Sequence, residues 1–353
     1  MKAEDQRFMA QALRAGRRNM GNTGDNPSVG CVVVKNGVVL GVGTTAPGGR
    51  PHAEPEALKM AGDAARGATA YVTLEPCSHV GRTPACADTL IRAGIARAVI
   101  ATQDPDPRVS GGGIAKLKAA GIETHLGLMG EEARHDLAGF FSRIIKARPH
   151  VTLKLALSAD GMMAARPGER TRITGHEAKQ FTYQLRAKSD AIMVGIGTVL
   201  ADDPMLDCAL PGLEARSPIR VIADARTALP LTSRLLATAH KIPVWLLTLG
   251  GSMPDEPHVS ALRIKPNREG RLDMADALAR LAKRGINRLM SEGGARLAES
   301  LLKAKLVDEL IILQSPHELG SGGLKPEIDF SGFRKNHEEM LGLDRMTVYE
   351  AQS

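Results

Sequence analysis

Apolar residues recur at helical spacing over residues 6–17, with Phe8, Met9, Ala12 and Leu13 on one face. The pattern then changes to β-branched runs at 31–34 and 38–42. Asn36-Gly37 joins them, a dipeptide that supplies the positive φ angles of a tight hairpin turn. Further along, the alternation predicts a helix over 52–60, a strand over 70–74 and a helix over 86–93. A strand at 98–101, a helix after Gly112, a strand at 123–126 and a longer helix over 131–147 complete this half. Strands alternating with helices predict a three-layer α/β domain. Pro149 stops the last helix, which sets the domain boundary between residues 147 and 148.

The second half, 148–353, repeats the alternation. HVTLKLALSADG reads as a strand and turn, interrupted by Lys154; on spacing alone, that lysine is an exposed residue of an edge strand. Residues 175–188 form a helix with Phe181 and Leu185 inward. A buried strand follows and breaks at Gly195 and Gly197, just before Thr198. Strands are expected at 219–223, 243–248, 288–290, 307–313 and 346–349, and helices at 273–284 and 295–302, with loop after Pro316. Glycines at the end of a strand permit close backbone approach by a ligand. Ser291-Glu292-Gly293-Gly294, between a strand and a helix start, is a candidate anion site. No G-x-G-x-x-G is present.

Composition narrows the class. Hydrophobic content of 43% and charged content of 24% belong to a soluble globular protein. No apolar run is long enough to span a bilayer, and the acidic start MKAEDQRF is unlike a signal peptide, so a cytoplasmic location is expected. Four cysteines do not make a disulfide scaffold. The net charge of +7 is spread evenly: residues 1–147 carry 18 Lys/Arg against 14 Asp/Glu, leaving 28 against 25. With 3% aromatic residues, stacking platforms for nucleic acid are scarce, and a small phosphorylated ligand fits the mild positive charge.

The chemistry concentrates between residues 52 and 86. His52, Cys77 and Cys86 are candidate zinc ligands, and Glu54 beside them a candidate proton carrier. One histidine and two thiolates can hold zinc while leaving a fourth position for water. The pattern matches the zinc-deaminase signature H-x-E then P-C-x-x-C, except that the cysteines are nine positions apart. Helix N-terminal N–H groups would favour both thiolates. His79, Arg82 and Thr83 lie between the cysteines, in a segment polar enough to bind a substrate phosphate. The amide of Asn26, before the first strand, can pair with a base edge. Residues 103–113, rich in glycine and proline, are placed to line the same cleft.

These motifs resemble the bacterial bifunctional riboflavin-biosynthesis deaminase–reductase family over nearly the whole chain. The most specific pieces are NPSVG, HAE, EPCSHVGRTPAC, DPDPRV, TLKLALSADG, RITG, LRAKSDAIMVGIGTVLADDP and SEGG. The resemblance implies a cytidine-deaminase-like domain followed by a dihydrofolate-reductase-like α/β domain. It implies zinc and NADPH as cofactors and a small phosphorylated pyrimidine as substrate, with oligomeric state left open. By position, His52, Cys77 and Cys86 match the zinc ligands and Glu54 the proton carrier. Asn26, His79, Arg82 and Thr83 match deaminase substrate positions. In the reductase half, Thr198, Asp202, Gly293 and Gly294 match cofactor positions and Arg186 and Glu292 substrate positions. Lys154 matches a pocket residue, which reverses its edge-strand reading.

The chain departs from the family in places. Ala209 stands where an arginine is common, and alanine cannot replace a guanidinium fork on a phosphate; a neighbour such as Arg216 is the candidate substitute. Arg172 stands for a common tryptophan, Ala225 for a serine, Ala85 for a proline and Asp106 for an asparagine. Rival readings are an active deaminase with an impaired or altered-substrate reductase, a nucleobase or tRNA deaminase fusion, and a binding protein with a structural zinc.

Overall fold

The computed structural model describes residues 4–79, 84–166, 168, 171–251, 257–320 and 322–352. The chain divides into two compact units, Met1–Ala147 and Arg148–Ser353.

The first unit holds a five-stranded sheet of order β2-β1-β3-β4-β5. Its strands are β1 (Gly30–Lys35), β2 (Val38–Thr44), β3 (Thr69–Val72), β4 (Arg97–Ile100) and β5 (Glu123–Leu126). β1 and β2 form the expected hairpin, with Asn36 and Gly37 at φ of 52° and 76°. Around the sheet lie α1 (Asp5–Arg17), α2 (Ala53–Ala61), α3 (Cys86–Arg92), α4 (Gly112–Ala119), α5 (Gly130–Asp136) and α6 (Ala138–Ile145). Successive β1 side chains enter opposite cores, as the two-residue strand period requires. Cys31 and Val33 pack with Ala57, Leu90, Leu117 and Phe140; Val32 and Val34 pack with Phe8, Met9 and Leu13. The result is helix on sheet on helix. A buried ion pair ties α1 to the sheet: Arg97 donates to both Asp5 carboxylate oxygens at 2.8 and 2.9 Å, and the Tyr71 hydroxyl adds a third bond at 2.8 Å.

One expectation for this unit fails. The single helix predicted over 131–147 is two, α5 and α6, divided at Leu137, whose φ/ψ of −95°/9° leaves the helical range. Leu137 and Phe140 both enter the core beneath the break.

The second unit is a nine-stranded sheet of order β10-β9-β8-β7-β11-β6-β12-β14-β13. Its strands are β6 (His150–Leu157), β7 (Ala191–Gly195), β8 (Ile219–Ala223), β9 (Val244–Thr248), β10 (Val259–Arg263), β11 (Arg288–Ser291), β12 (Glu309–Gln314), β13 (Phe333–Leu341) and β14 (Asp344–Ala351). Neighbours run parallel from β10 to β12, and the last two strands are antiparallel. The helices are α7 (His176–Ala187), α8 (Ile196–Asp202), α9 (Arg234–Ala237), α10 (Met274–Lys283) and α11 (Ala295–Lys303). Ala191 and Met193 of β7 pack with Leu278 and Leu281 of α10 and Leu297 and Leu301 of α11, whereas Ile192 and Val194 pack with Val199 and Leu235.

Three sequence expectations change here. β6 lies between β11 and β12, so Lys154 belongs to a central strand and not to an edge; its side chain is 12% exposed. β10 and β13 occupy stretches in which no strand was expected. β13 reads FRKNHEEML and is exposed over nearly its whole length, so no buried face imposes an alternating pattern on it.

Parallel pairing brings the C-terminal ends of β7 and β11 side by side. The Glu292 N–H donates to the Met193 carbonyl at 3.1 Å, so Gly195–Asp202 and Glu292–Gly294 leave the sheet at the same end. Among the described residues, no helix is long and apolar enough to cross a membrane.

Candidate active sites

The first site forms where the N-terminus of α2 meets that of α3. Gly41 and Gly43 of β2 let α2 lie directly on the sheet: a Cβ at either would fall 2.1 Å from the Ala57 carbonyl oxygen or 2.0 Å from that of Ala53. Held in this way, α2 begins at its N-cap residue His52 and carries Glu54 in its first turn. Cys77 follows β3, and Cys86 opens α3. His52 Nδ1 lies 3.3 Å from Cys86 Sγ and 3.8 Å from Cys77 Sγ, and all three donor atoms fall within 4.8 Å of one another. A tetrahedral zinc with bonds of roughly 2.0–2.3 Å sets its ligands about 3.3–3.8 Å apart. The donor set therefore fits the ion, and among the described residues no fourth ligand of these types joins the group.

The electrostatics agree. The Cys86 thiol and His52, both hydrogen bonded to Cys77, bring its thiol down to about 4, and the Cys86 N–H also donates to Cys77 Sγ at 3.3 Å. The same hydrogen bond, together with burial, pushes Cys86 up. Thiolates are the metal-binding form, so a divalent cation displaces the thiol proton on binding. Burial, reinforced by the Cys77 charge, pushes the Glu54 carboxyl up to about 7. A carboxyl near neutrality can both take and give a proton.

Asn26 has a role that the sequence did not reveal. Its Nδ2 donates to Asp25 Oδ1 at 3.1 Å, while its Oδ1 faces His52 Nε2 at 3.3 Å. With the amide nitrogen engaged, Oδ1 is the acceptor. His52 then carries its proton on Nε2 and keeps the Nδ1 lone pair for a metal.

Glu75 has a role that no motif in the sequence points to. Buried to 3% exposure, its carboxylate accepts from the N–H groups of Asp104 (3.3 Å), Gly111 (3.0 Å), Gly113 (2.9 Å) and Ile114 (3.1 Å). Two residues before Cys77, it ties the 103–111 loop and the start of α4 to the segment that delivers the ligand. His79 is exposed. Arg82 and Thr83 lie outside the described residues.

The second site joins side chains from distant parts of the chain. Arg186, near the end of α7, donates from Nε to Glu292 Oε1 at 2.6 Å and from Nη2 to Oε2 at 3.0 Å. Its Nη1 donates to the Asp207 carbonyl at 2.8 Å. Lys154 Nζ stands 4.0 Å from Glu292 Oε2. Burial works against the charge on Glu292, but Arg186 and Lys154 together hold its carboxyl below the usual range. Burial pushes the Lys154 ammonium down, with Glu292 opposing.

Beside this network the start of α8 meets the start of α11. Gly294 caps α11, and a Cβ there would sit 3.3 Å from Thr198 Oγ1; one at Gly293 would strike Leu297 Cδ2 at 2.6 Å. A hydroxyl beside exposed helix N–H groups suits a phosphate. Asp202 ends α8 and is half-buried. Asp224, just after the parallel strand β8, is 1% exposed; its Oδ1 has no hydrogen-bond partner among the described residues, while Oδ2 accepts from Leu229 N–H at 2.9 Å. A buried acceptor without a donor suits a ligand hydroxyl, and no sequence pattern had singled it out. Ala209 is exposed, and Arg216 Nη2 donates to the Ala187 carbonyl at 3.4 Å.

Fold and sites together define a class of protein in which a cytidine-deaminase-type zinc domain and a reductase domain share one chain. Residues 2–102 match the cytidine and deoxycytidylate deaminase zinc-binding region, and residues 149–350 match the RibD C-terminal domain. The riboflavin biosynthesis protein RibD of Escherichia coli (strain K12) is 41% identical over 329 residues, covering 90% of this chain and 89% of that protein. A solved structure of Acinetobacter baumannii RibD matches with a TM-score of 0.89 at 35% identity, covering 99% of both chains. A Thermotoga maritima structure, described as a diaminohydroxyphosphoribosylaminopyrimidine deaminase/5-amino-6-(5-phosphoribosylamino)uracil reductase, matches at 0.87 and 31% over 99% of both. The chain belongs to the RibD family: it is a bifunctional riboflavin-biosynthesis enzyme with zinc and NADPH as its cofactors.

Proposed function

We propose that the first unit hydrolytically deaminates 2,5-diamino-6-ribosylamino-4(3H)-pyrimidinone 5′-phosphate, and that the second reduces the ribosyl group of the product to a ribityl chain. The observation that carries this reading is the convergence of His52 Nδ1, Cys77 Sγ and Cys86 Sγ beside a buried carboxyl raised to about 7.

In this reading His52, Cys77 and Cys86 hold zinc, and Asn26 keeps the imidazole turned towards it. Bound zinc lowers the pKa of water to near neutrality and so supplies the nucleophile. Glu54 takes a proton as the ring carbon is attacked, returns it to the ring nitrogen, and then assists departure of the exocyclic amine as ammonia. Asn26 also meets the base edge, and His79, Arg82 and Thr83 meet the remainder of the substrate, including its phosphate. In the second unit Thr198, Asp202, Gly293 and Gly294 hold NADPH, and the Asp224 Oδ1 accepts from one of its hydroxyls. NADPH supplies hydride. Lys154, Arg186 and Glu292 form a fixed charged wall that orients the opened sugar. Four free cysteines fit a reducing, cytoplasmic setting.

Ammonia release from the diamino substrate by zinc-loaded protein tests the first step. The Glu54→Gln variant is expected to keep one zinc per chain and to lose release; undiminished release would sink the assignment. Ala209 favours one narrower variant of the reading, in which the reductase grips the phosphate weakly. Ala209→Arg is then expected to lower KM for the deaminated substrate with little change in kcat, and an unchanged KM would exclude it.

A further inference from the structure

The loop over residues 103–111 carries its own hydrogen bonds. The Asp106 N–H donates to Asp104 Oδ1 at 2.8 Å and the Arg108 N–H to Asp106 Oδ1 at 3.0 Å. The N–H groups of Val109 and Ser110 both donate to the Asp106 carbonyl at 2.8 Å. Gln103 closes the loop, donating from Nε2 to Ser110 Oγ at 3.0 Å. A segment bonded to itself in this way can shift as one body, so what fastens it decides where it lies.

Glu75 fastens it. Outside the loop and the start of α4, it is the loop's one hydrogen-bond partner among the described residues. Its Oε2 takes both loop amides, Asp104 and Gly111, while its Oε1 takes Gly113 and Ile114 in the first turn of α4. The carboxylate therefore joins two bodies, one at each oxygen. Four donors converge on it, and an ionised carboxylate is the side chain that only accepts. The start of α4 is fixed independently. A Cβ at Gly113 would fall 1.9 Å from the Pro76 carbonyl oxygen, and one at Gly112 2.8 Å from Ser78 Oγ, so this turn lies against both neighbours of Cys77. Leu117, one turn on, is in the core.

We propose, on the deaminase reading of the first site, that Glu75 is a positioning residue for that reaction. It holds the 103–111 loop as a preformed wall of the substrate cleft and takes no part in zinc binding or proton transfer. A wall already in place needs no ordering when substrate arrives. If only a fraction of molecules hold the loop in place, apparent affinity falls by that fraction, while chemistry in the molecules that bind is unaltered.

Glu75→Gln tests this, because it keeps the shape of the side chain and replaces one acceptor oxygen with an NH2 group. Whichever way the amide turns, two N–H donors face a third donor. α4 is packed in place, so the loop is the body that yields. Zinc affinity is read by chelator competition on the full chain, ammonia release is followed with the diamino substrate, and hydrogen exchange is followed by mass spectrometry over residues 103–114. In the wild type the loop peptide is expected to exchange slowly. In the variant that peptide should lose protection while zinc affinity stays within about twofold; KM should rise at least about tenfold with kcat within about threefold. An unprotected loop in the wild type overturns the proposal, whether or not the variant folds. An unchanged KM overturns it too, as does zinc affinity that falls in step with KM, the mark of a purely structural role. Absence of ammonia release from the wild type removes the deaminase reading and this role with it, a result distinct from normal release that Glu75→Gln leaves unaltered.

Discussion

The metal-binding half draws its donors from residues 52, 77 and 86, each at or just beyond the end of a helix or strand, whereas the reductase half gathers Lys154, Arg186 and Glu292 from a strand, a helix and a second strand's end. In the first half, backbone geometry does the positioning. α2 rests on two glycines, Glu75 holds four amides and Asn26 turns His52. In the second half, charge does it: two cations converge on one carboxylate and the guanidinium is doubly bonded to it. A site built on backbone contacts keeps its shape when one reacting group is changed. One built on opposed charges loses its shape along with its chemistry, because removing a partner strands a buried charge.

The largest expected difference is in catalysis. Glu54→Gln should lower ammonia release by about 10²–10⁴-fold, the range for a positioned proton carrier, while NADPH oxidation with already deaminated substrate stays at the wild-type rate. A parallel loss of both activities would mean that the halves are not separable.

Glu292→Gln should do more than slow its reaction. It leaves Arg186 and Lys154 facing each other without a counter-charge, at a cost of about 3–5 kcal/mol in stability of the second unit. Denaturant unfolding followed by the fluorescence of Trp245 in β9 measures this. Stability within a few tenths of wild type would show that the network serves only the ligand.

Asn26→Ala removes the acceptor behind His52. Zinc affinity, read by competition with a chromophoric chelator, should fall by about 10–100-fold, as is usual for partners of metal-bound histidines. Unchanged affinity would confine Asn26 to substrate contact.

The smallest effect is on acid stability, and it belongs to the second unit. Arg148 holds the Asp308 carboxyl, despite its burial, down to about 2, below its value in an unfolded chain. The carboxylate's contribution is therefore complete above about pH 4 and is lost as pH falls towards 2, on the order of 2 kcal/mol. Asp308→Asn should flatten stability over that window alone; an unaltered slope would show that other carboxylates dominate.

The sequence made the first site legible because its ligands sit in short, chemically distinctive runs at element boundaries. Hydrophobic periodicity likewise located most strands, since most have a buried face. β13 escaped because both its faces are largely in water, leaving no apolar alternation to read. The α5–α6 break escaped because no proline or glycine stands at Leu137, where the backbone leaves the helical range. Glu75 and Asp224 were hidden for a different reason. Their roles rest on which backbone amides, or which vacant donor position, the fold brings to a carboxylate, and neither leaves a local pattern.

The most direct test is NADPH oxidation by zinc-loaded protein given the diaminopyrimidinone ribosylamine phosphate as sole substrate. Oxidation is expected to follow ammonia release, to vanish in Glu54→Gln, and to return when that variant receives the deaminated compound. NADPH oxidation by Glu54→Gln acting on the undeaminated substrate would contradict the order of steps, and with it the division of labour between the two units.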